Sequence, residues 1–336
     1  MKNRYLRITL LYLCASAALL TVGWYAHAWH LRGKSAGKVR RANAAGFRFT
    51  NPLLDVELPE GVSVDREQHH FKYKVEDYVK QQTDGTRLRN ISVYYRDLGE
   101  GPWFGINEQK EYNPASMMKV PVMIAWLKRA EKNPRVLKQT FLFDSTVDMS
   151  TVQRLKPRYT LVAGQRYPVE TLLEYMMSYS DNNATSLLYG NMTTEELNDV
   201  LDGMDITNRP DDTNNSITVH GYSGFFRILY NASFLNREMS EKALRLLSRE
   251  DFPRGISAGV PKGVAVAAKF GEFEGGSGIE GKQLHEFGIV YHPKGHYILG
   301  IMTDGTDFVR QSEVIRDISA LVYREVDSGG AVNNRR

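Results

Sequence analysis

Strand-patterned runs stand at both ends of the body of this chain and helical runs fill its middle, an order that limits the fold more than any other feature of the sequence. Ile91 to Leu98 and Trp103 to Asn107 are rich in β-branched and aromatic residues and are split by Gly99-Glu100-Gly101, the signal of a hairpin. Val264 to Phe273, Leu284 to Tyr291 and Tyr297 to Thr303 repeat the strand pattern, and Val309 to Glu325 reads as a closing helix. Between the two sets, Val169 to Tyr179, Thr194 to Leu201, Gly224 to Leu229 and Ser240 to Leu247 carry apolar residues at helical spacing. Arg66 to Gln82 does the same through Phe71, Val75, Tyr78 and Val79. Strands flanking a helical insert place the terminal segments in one sheet, so an α+β fold with a mostly helical lobe is expected. No internal repeat is present.

Composition narrows the functional classes. Hydrophobic residues at 42% and charged residues at 24%, with only 12 prolines, exclude collagen-like and disordered chains over most of the 336 residues. The net charge of +4 is misleading, because eight of the 43 basic residues and none of the acids lie in Met1 to Arg41. The remainder carries 35 basic against 39 acidic residues, which removes the electrostatic case for nucleic acid. Cys14 stands alone, so no intrachain disulfide and no cysteine metal cluster is possible.

Ile8 to Trp29 is an uncharged 22-residue run preceded by Lys2, Arg4 and Arg7. It is long enough to cross a bilayer, which takes about 20 apolar residues. A transmembrane anchor holding the body on the outer face of the cytoplasmic membrane is expected, with signal cleavage near Ala28 as the alternative, since Ala26-His27-Ala28 fits the cleavage pattern. The expected organisation is an anchor or signal segment at 1–32, a linker at 33–62, a folded domain at 63–326 and a disordered tail at 327–336.

Three motifs carry chemistry. Asn113-Pro114-Ala115-Ser116-Met117-Met118-Lys119 reads as a helix start, with Asn113 as cap and Pro114 at the first helical position. Residues three apart share a helix face, so the Lys119 amine can approach the Ser116 hydroxyl and serve as the base that a serine nucleophile needs. Ser-x-x-Lys alone is weak, because about one is expected by chance in this composition. Ser180-Asp181-Asn182 is more informative, with about 0.06 expected, although the same residues suit a helix-capping turn. Lys269-Phe270-Gly271 ends a β-rich run and by itself would be an edge-strand lysine followed by a bulge glycine.

Taken in this order, the three motifs resemble the active-site set of the penicillin-recognising serine enzymes, the class A β-lactamases and penicillin-binding proteins, for which S-x-x-K, S-D-N and K-T-G are characteristic. The likeness extends from about Arg66 to Val326. It implies an antiparallel sheet flanked by helices, packed against a helical lobe with the active site between them. Ser116 would be the acylated nucleophile and Lys119 its base. Ser180 would relay a proton to the leaving nitrogen, Asn182 would bind the amide side chain of the substrate, and Lys269 would attract its carboxylate. The backbone N–H groups of Ser116 and of Glu272, which follows Gly271, would form the oxyanion hole.

Two departures matter. Phe270 stands where the family usually has a hydroxyl residue that binds the substrate carboxylate, which leaves substrate preference open. The glutamate with which class A β-lactamases hydrolyse the acyl-enzyme lies in an E-x-x-L-N pattern, whose first position here would be Thr194. Glu196-Leu197-Asn198 instead reads as part of an amphipathic helix, and the following loop offers only Asp211 and Asp212. A serine hydrolase that acylates readily and deacylates slowly is therefore expected, with a D-Ala-D-Ala peptidase or a non-catalytic wall-binding module as alternatives. His285-Glu286 borders the expected carboxylate pocket. The histidines show no metal-ligand spacing, and no metal or cofactor is expected. The expected partners are a β-lactam or cell-wall peptide, no nucleic acid and, through the N-terminal run, the membrane; a monomer is expected.

Overall fold

The computed structural model describes residues 39–41, 46–56, 71–99, 101–146, 148–151, 153–204, 206, 216–275 and 281–329. Two units are distinguished, Met1–Arg40 with Leu54–Val64, and Arg41–Leu53 with Asp65–Arg336. Val39–Arg41 (β1) and Leu53–Val56 (β2) fall largely in the smaller unit. The larger unit carries all that follows.

Its centre is a sheet of Leu88–Asp97 (β3), Trp103–Ile106 (β4), Val266–Glu274 (β9), Lys282–Val290 (β10) and Tyr297–Gly305 (β11), in the order β4-β3-β11-β10-β9. All neighbours pair antiparallel, and the first strands join the last through β3 against β11, with Val93 opposite Ile301. The sheet shared by both ends of the chain, and the β3–β4 hairpin, are thus as the sequence pattern implies. Short pairs Glu111–Tyr112 (β5) with Ile217–Thr218 (β8), and Thr140–Phe143 (β6) with Gln165–Pro168 (β7), lie outside it.

Side chains alternate between the sheet's two faces, and each face meets an apolar layer. Ile91, Val93, Tyr95, Leu299 and Ile301 pack with Val75, Val79, Val314, Ile315 and Ile318 of the helices Lys72–Gln82 and Phe308–Gly329. Tyr94, Phe287, Ile298 and Met302 face the other way, into the helical middle formed by Lys119–Lys132, Val169–Ser178, Asn182–Gly190, Thr194–Asp202, Val219–Asn231 and Arg237–Leu247. Two covered faces leave no polar alternation, which is why β10 and β11 are buried almost throughout. Phe287 shows the packing: its ring lies 5.1 Å from Tyr222 and 5.7 Å from Phe226, over Gly300, where an added Cβ would come within 1.9 Å of it. Burying such a ring is worth about 2–3 kcal/mol.

Three boundaries differ from the sequence expectation. Part of the expected linker is packed: Phe49 and Thr50 are buried, and the backbone N–H groups of Arg48, Phe49 and Thr50 donate to the buried Glu241 carboxylate at 2.7 to 3.0 Å. The closing helix runs to Gly329, three residues into the expected tail. The helix expected from Pro114 begins as a 3-10 turn, Ala115–Met118, and becomes α-helical at Lys119. The anchor run and Cys14 lie outside the described residues; among those described, no helix is long and apolar enough to cross a membrane.

Candidate active site

The turn that carries Ser116 is held from several sides. Asn113 Oδ1 accepts from Ala115 N at 2.9 Å, so Asn113 makes a tight turn rather than a helix cap. Ala115 then takes φ +49°, a left-handed conformation that costs a non-glycine residue roughly 1–2 kcal/mol. Strain of this kind persists only where the surroundings fix it. Here Asn113 N donates to Gln283, His285 Nε2 donates to Asn113 O at 3.1 Å, and Tyr222 Oη donates to Met117 O at 2.7 Å. Thr303 N–H donates to His285 Nδ1, which fixes the proton on Nε2. Burial pushes the imidazole down to about 4, so it stays a neutral strut. Gly271 completes the support, because an added Cβ would meet Pro114 O at 2.8 Å and Met117 N at 3.1 Å.

Three residues from Ser116, Lys119 is buried, with its Nζ 2.6 Å from Ser180 O, 3.0 Å from Ser180 Oγ and 2.7 Å from Asn182 Oδ1. Desolvation, reinforced by the nearby Lys269 charge, pushes the Lys119 amine well below its ordinary range. Nζ donates to Ser180 O, Ser180 Oγ and Asn182 Oδ1, and loss of one of its protons frees the lone pair that a base needs. Ser180 also sits at φ +57°, a second strained position in the same cluster. Asp181 caps the helix Asn182–Gly190 by accepting from Asn183 N and Ala184 N, and its other oxygen accepts from Leu161 N. The capping turn and the Ser180-Asp181-Asn182 motif are therefore the same three residues.

β9 is the edge strand and lies against the Ser116 turn. Phe270 N–H points off this edge, since it donates to Glu250 rather than to β10. The two-residue period of a strand sends Glu272 N–H the same way, toward the turn. The Glu272 carboxylate reaches across to accept from Arg154 N at 3.0 Å and Leu155 N at 2.7 Å. Gln153, on the same segment, donates to Ser180 O at 3.0 Å, so residues 153–155 are stitched to both walls of the site. Burial pushes the Glu272 carboxyl up.

Lys269 is fully buried and its Nζ lies 3.2 Å from Glu250 Oε1, not free in the cleft. Phe270 is buried and stacked on Phe252, with ring centroids 4.5 Å apart. Glu286 is buried beside them and accepts from Ile256 N at 2.7 Å. The structure thus brings Ser116, Lys119, Ser180, Asn182, Gly271 and Glu272 together, and draws Lys269 to a partner that sequence reasoning missed. Glu250 follows a helix end in an irregular stretch, where no periodicity marks it. Glu196 is occupied elsewhere, in a capping box with Thr193 and an ion pair with Arg129, while Asp211 and Asp212 lie outside the described residues. Among the described residues no cluster of His, Cys, Asp and Glu is arranged to hold a metal ion.

Comparison with known proteins bears on the family and the fold. Residues 72–326 match the model of the β-lactamase enzyme family. No curated protein matches by sequence. Among solved structures, an acyl-enzyme complex of a PBP-A mutant with penicillin G is similar at 20% identity, covering 80% of this chain and 100% of the other with a TM-score of 0.65. A β-lactamase from Sphaerobacter thermophilus is similar at 22% identity, covering 76% and 96%, with a TM-score of 0.65. A class A β-lactamase from Mycobacterium abscessus is similar at 20%, covering 75% and 99%, with a TM-score of 0.63. Identities this low bear on the fold alone.

Proposed function

The chain belongs to the β-lactamase enzyme family, and from that premise we propose that it is a serine hydrolase in which a β-lactam or peptide-like amide acylates Ser116. The observation that carries this reading is the buried Lys119 amine on Ser180 and Asn182, one helical turn from Ser116. Lys119 Nζ takes the Ser116 hydroxyl proton as Oγ bonds to the carbonyl carbon. The oxyanion is held by the N–H groups of Ser116 and Glu272. As the C–N bond breaks, Ser180 gives its proton to the leaving nitrogen and regains one from Lys119. The turn at Ala115 is already held in place before attack, and such pre-organisation is where electrostatic catalysis gains most.

Hydrolysis of the acyl-enzyme needs a second base. Glu196 is committed to Arg129 and its own helix cap, which supports slow release and behaviour nearer to a penicillin-binding protein than to a rapid β-lactamase. The uncharged Ile8 to Trp29 run supports a catalytic body held outside the cytoplasmic membrane. Intact-protein mass spectrometry after incubation with a penicillin tests the central claim. An adduct is expected on Ser116 and none on a Ser116→Ala variant; no adduct and no turnover in the native enzyme would overturn it.

A further inference from the structure

The buried neighbourhood of Lys269 has no counterpart in the chemistry so far. A lysine placed at the edge of β9 for a substrate carboxylate would be expected to keep its ammonium open to the cleft. Here Nζ is sealed from solvent and lies on a carboxylate of the protein itself, Glu250, whose own side chain is only 5% exposed. The same Glu250 oxygen accepts from Phe270 N, so the carboxylate is fixed by one charged and one backbone donor on the cleft edge of the strand. The hydroxyl that would share a substrate carboxylate is absent as well, since Phe270 turns into the opposite core and stacks on Phe252.

We propose that Glu250 fills from within the protein the position a substrate carboxylate would take, so that the enzyme selects acyl donors that are uncharged at that end. The inference rests on the reading of Ser116 as an acylated nucleophile and specifies its substrate class. Charge arithmetic supports it. Lys269 and Glu250 sum to zero wherever their shared proton resides, burial and the neighbouring Glu250 push Glu286 well above the usual carboxyl range, and Glu272 adds an acidic group at the cleft. Lys119, neutral as the base, contributes no positive charge. A carboxylate brought here would lose its hydration without gaining a free cation.

One chromogenic cephalosporin, used as the free acid and as its methyl ester, provides the test through rates of Ser116 acylation. The native enzyme is expected to acylate with the ester at least as fast as with the acid. In Glu250→Gln, which keeps the acceptor but frees the Lys269 charge, the ratio is expected to move toward the acid about tenfold or more. A native preference for the acid of tenfold, unchanged in Glu250→Gln, would overturn the proposal while leaving the acyl-enzyme reading intact. Acylation by neither form would overturn that reading, and the proposal with it. Should Glu250→Gln fail to fold, the native ratio decides alone.

Discussion

At the scale of single residues, the site is organised by burial of groups that are usually solvated. Lys119 is pushed down by desolvation and by Lys269, so acylation should rise with pH through a lysine titration lying well below 10.5 and then level off. Lys119→Ala removes the only amine hydrogen-bonded to Ser180 among the described residues and should slow acylation by about 10² to 10⁴, read as the rate of acyl-enzyme formation; an unchanged rate would mean that another base serves. His285 gives a stability prediction with a definite sign. Its imidazole titrates near 6.5 when unfolded and near 4 when folded. Below pH 6.5 the unfolded chain takes up a proton that the folded one refuses, so stability is withdrawn as pH falls toward 4, by roughly 2–3 kcal/mol at pH 4.5. The raised Glu286 and Glu272 carboxyls act in the opposite sense but are common to native and variant. Urea unfolding of the native protein and His285→Gln at pH 7.5 and 4.5 should therefore show the variant losing less with acid. Equal losses would remove the neutral imidazole from the account.

At the scale of elements, β9 and the 115–118 turn pack as one unit, which in the proposed mechanism carries the oxyanion donor on the strand and the nucleophile on the turn. Gly271→Ala would set a methyl group against Pro114 O and Met117 N, backbone atoms that cannot yield without separating the two. Acylation should fall by about 10²-fold or more, the cost of a misplaced oxyanion donor, and by more than the change in thermal stability suggests; acylation retained in the folded variant would show that the contact is not needed. What was legible in the sequence follows from the same geometry. The β3–β4 hairpin and the helices of the middle were readable because periodicity reports burial. The Ser180-Asp181-Asn182 motif was readable because its composition is improbable by chance. The turn at Ser116 was misread as a regular helix start, since the left-handed Ala115 is imposed by β9, His285 and Tyr222, residues more than 100 positions away. Glu241 and Glu250 were invisible for a related reason. An isolated glutamate reads as a solvated charge until tertiary structure surrounds it with N–H groups.

At the scale of the whole molecule, the proposed site lies between the sheet edge and the helical lobe, and its two half-reactions differ in the groups they need. In the proposed reaction, acylation draws on groups from both sides, Ser116, Lys119 and Ser180 from the lobe and Glu272 N–H from the sheet edge. Deacylation needs one more base where water approaches, and four of the described carboxylates are already committed. Glu196 pairs with Arg129, Glu286 is sealed on Ile256 N, Glu250 holds Lys269, and Glu272 binds the backbone of residues 154–155. A positioned general base is worth about 10² to 10⁴ in rate, or ~3–5 kcal/mol of barrier. Mixing the enzyme with a chromogenic substrate that acylates it should therefore give a burst of about one product per Ser116, followed by a steady phase slower by about that factor. A linear time course without a burst, at tens of turnovers per second or more, would show that one of these carboxylates, or Asp212, is free to act in the acyl-enzyme. Asp212→Asn and Glu272→Gln would then show which, by restoring the burst.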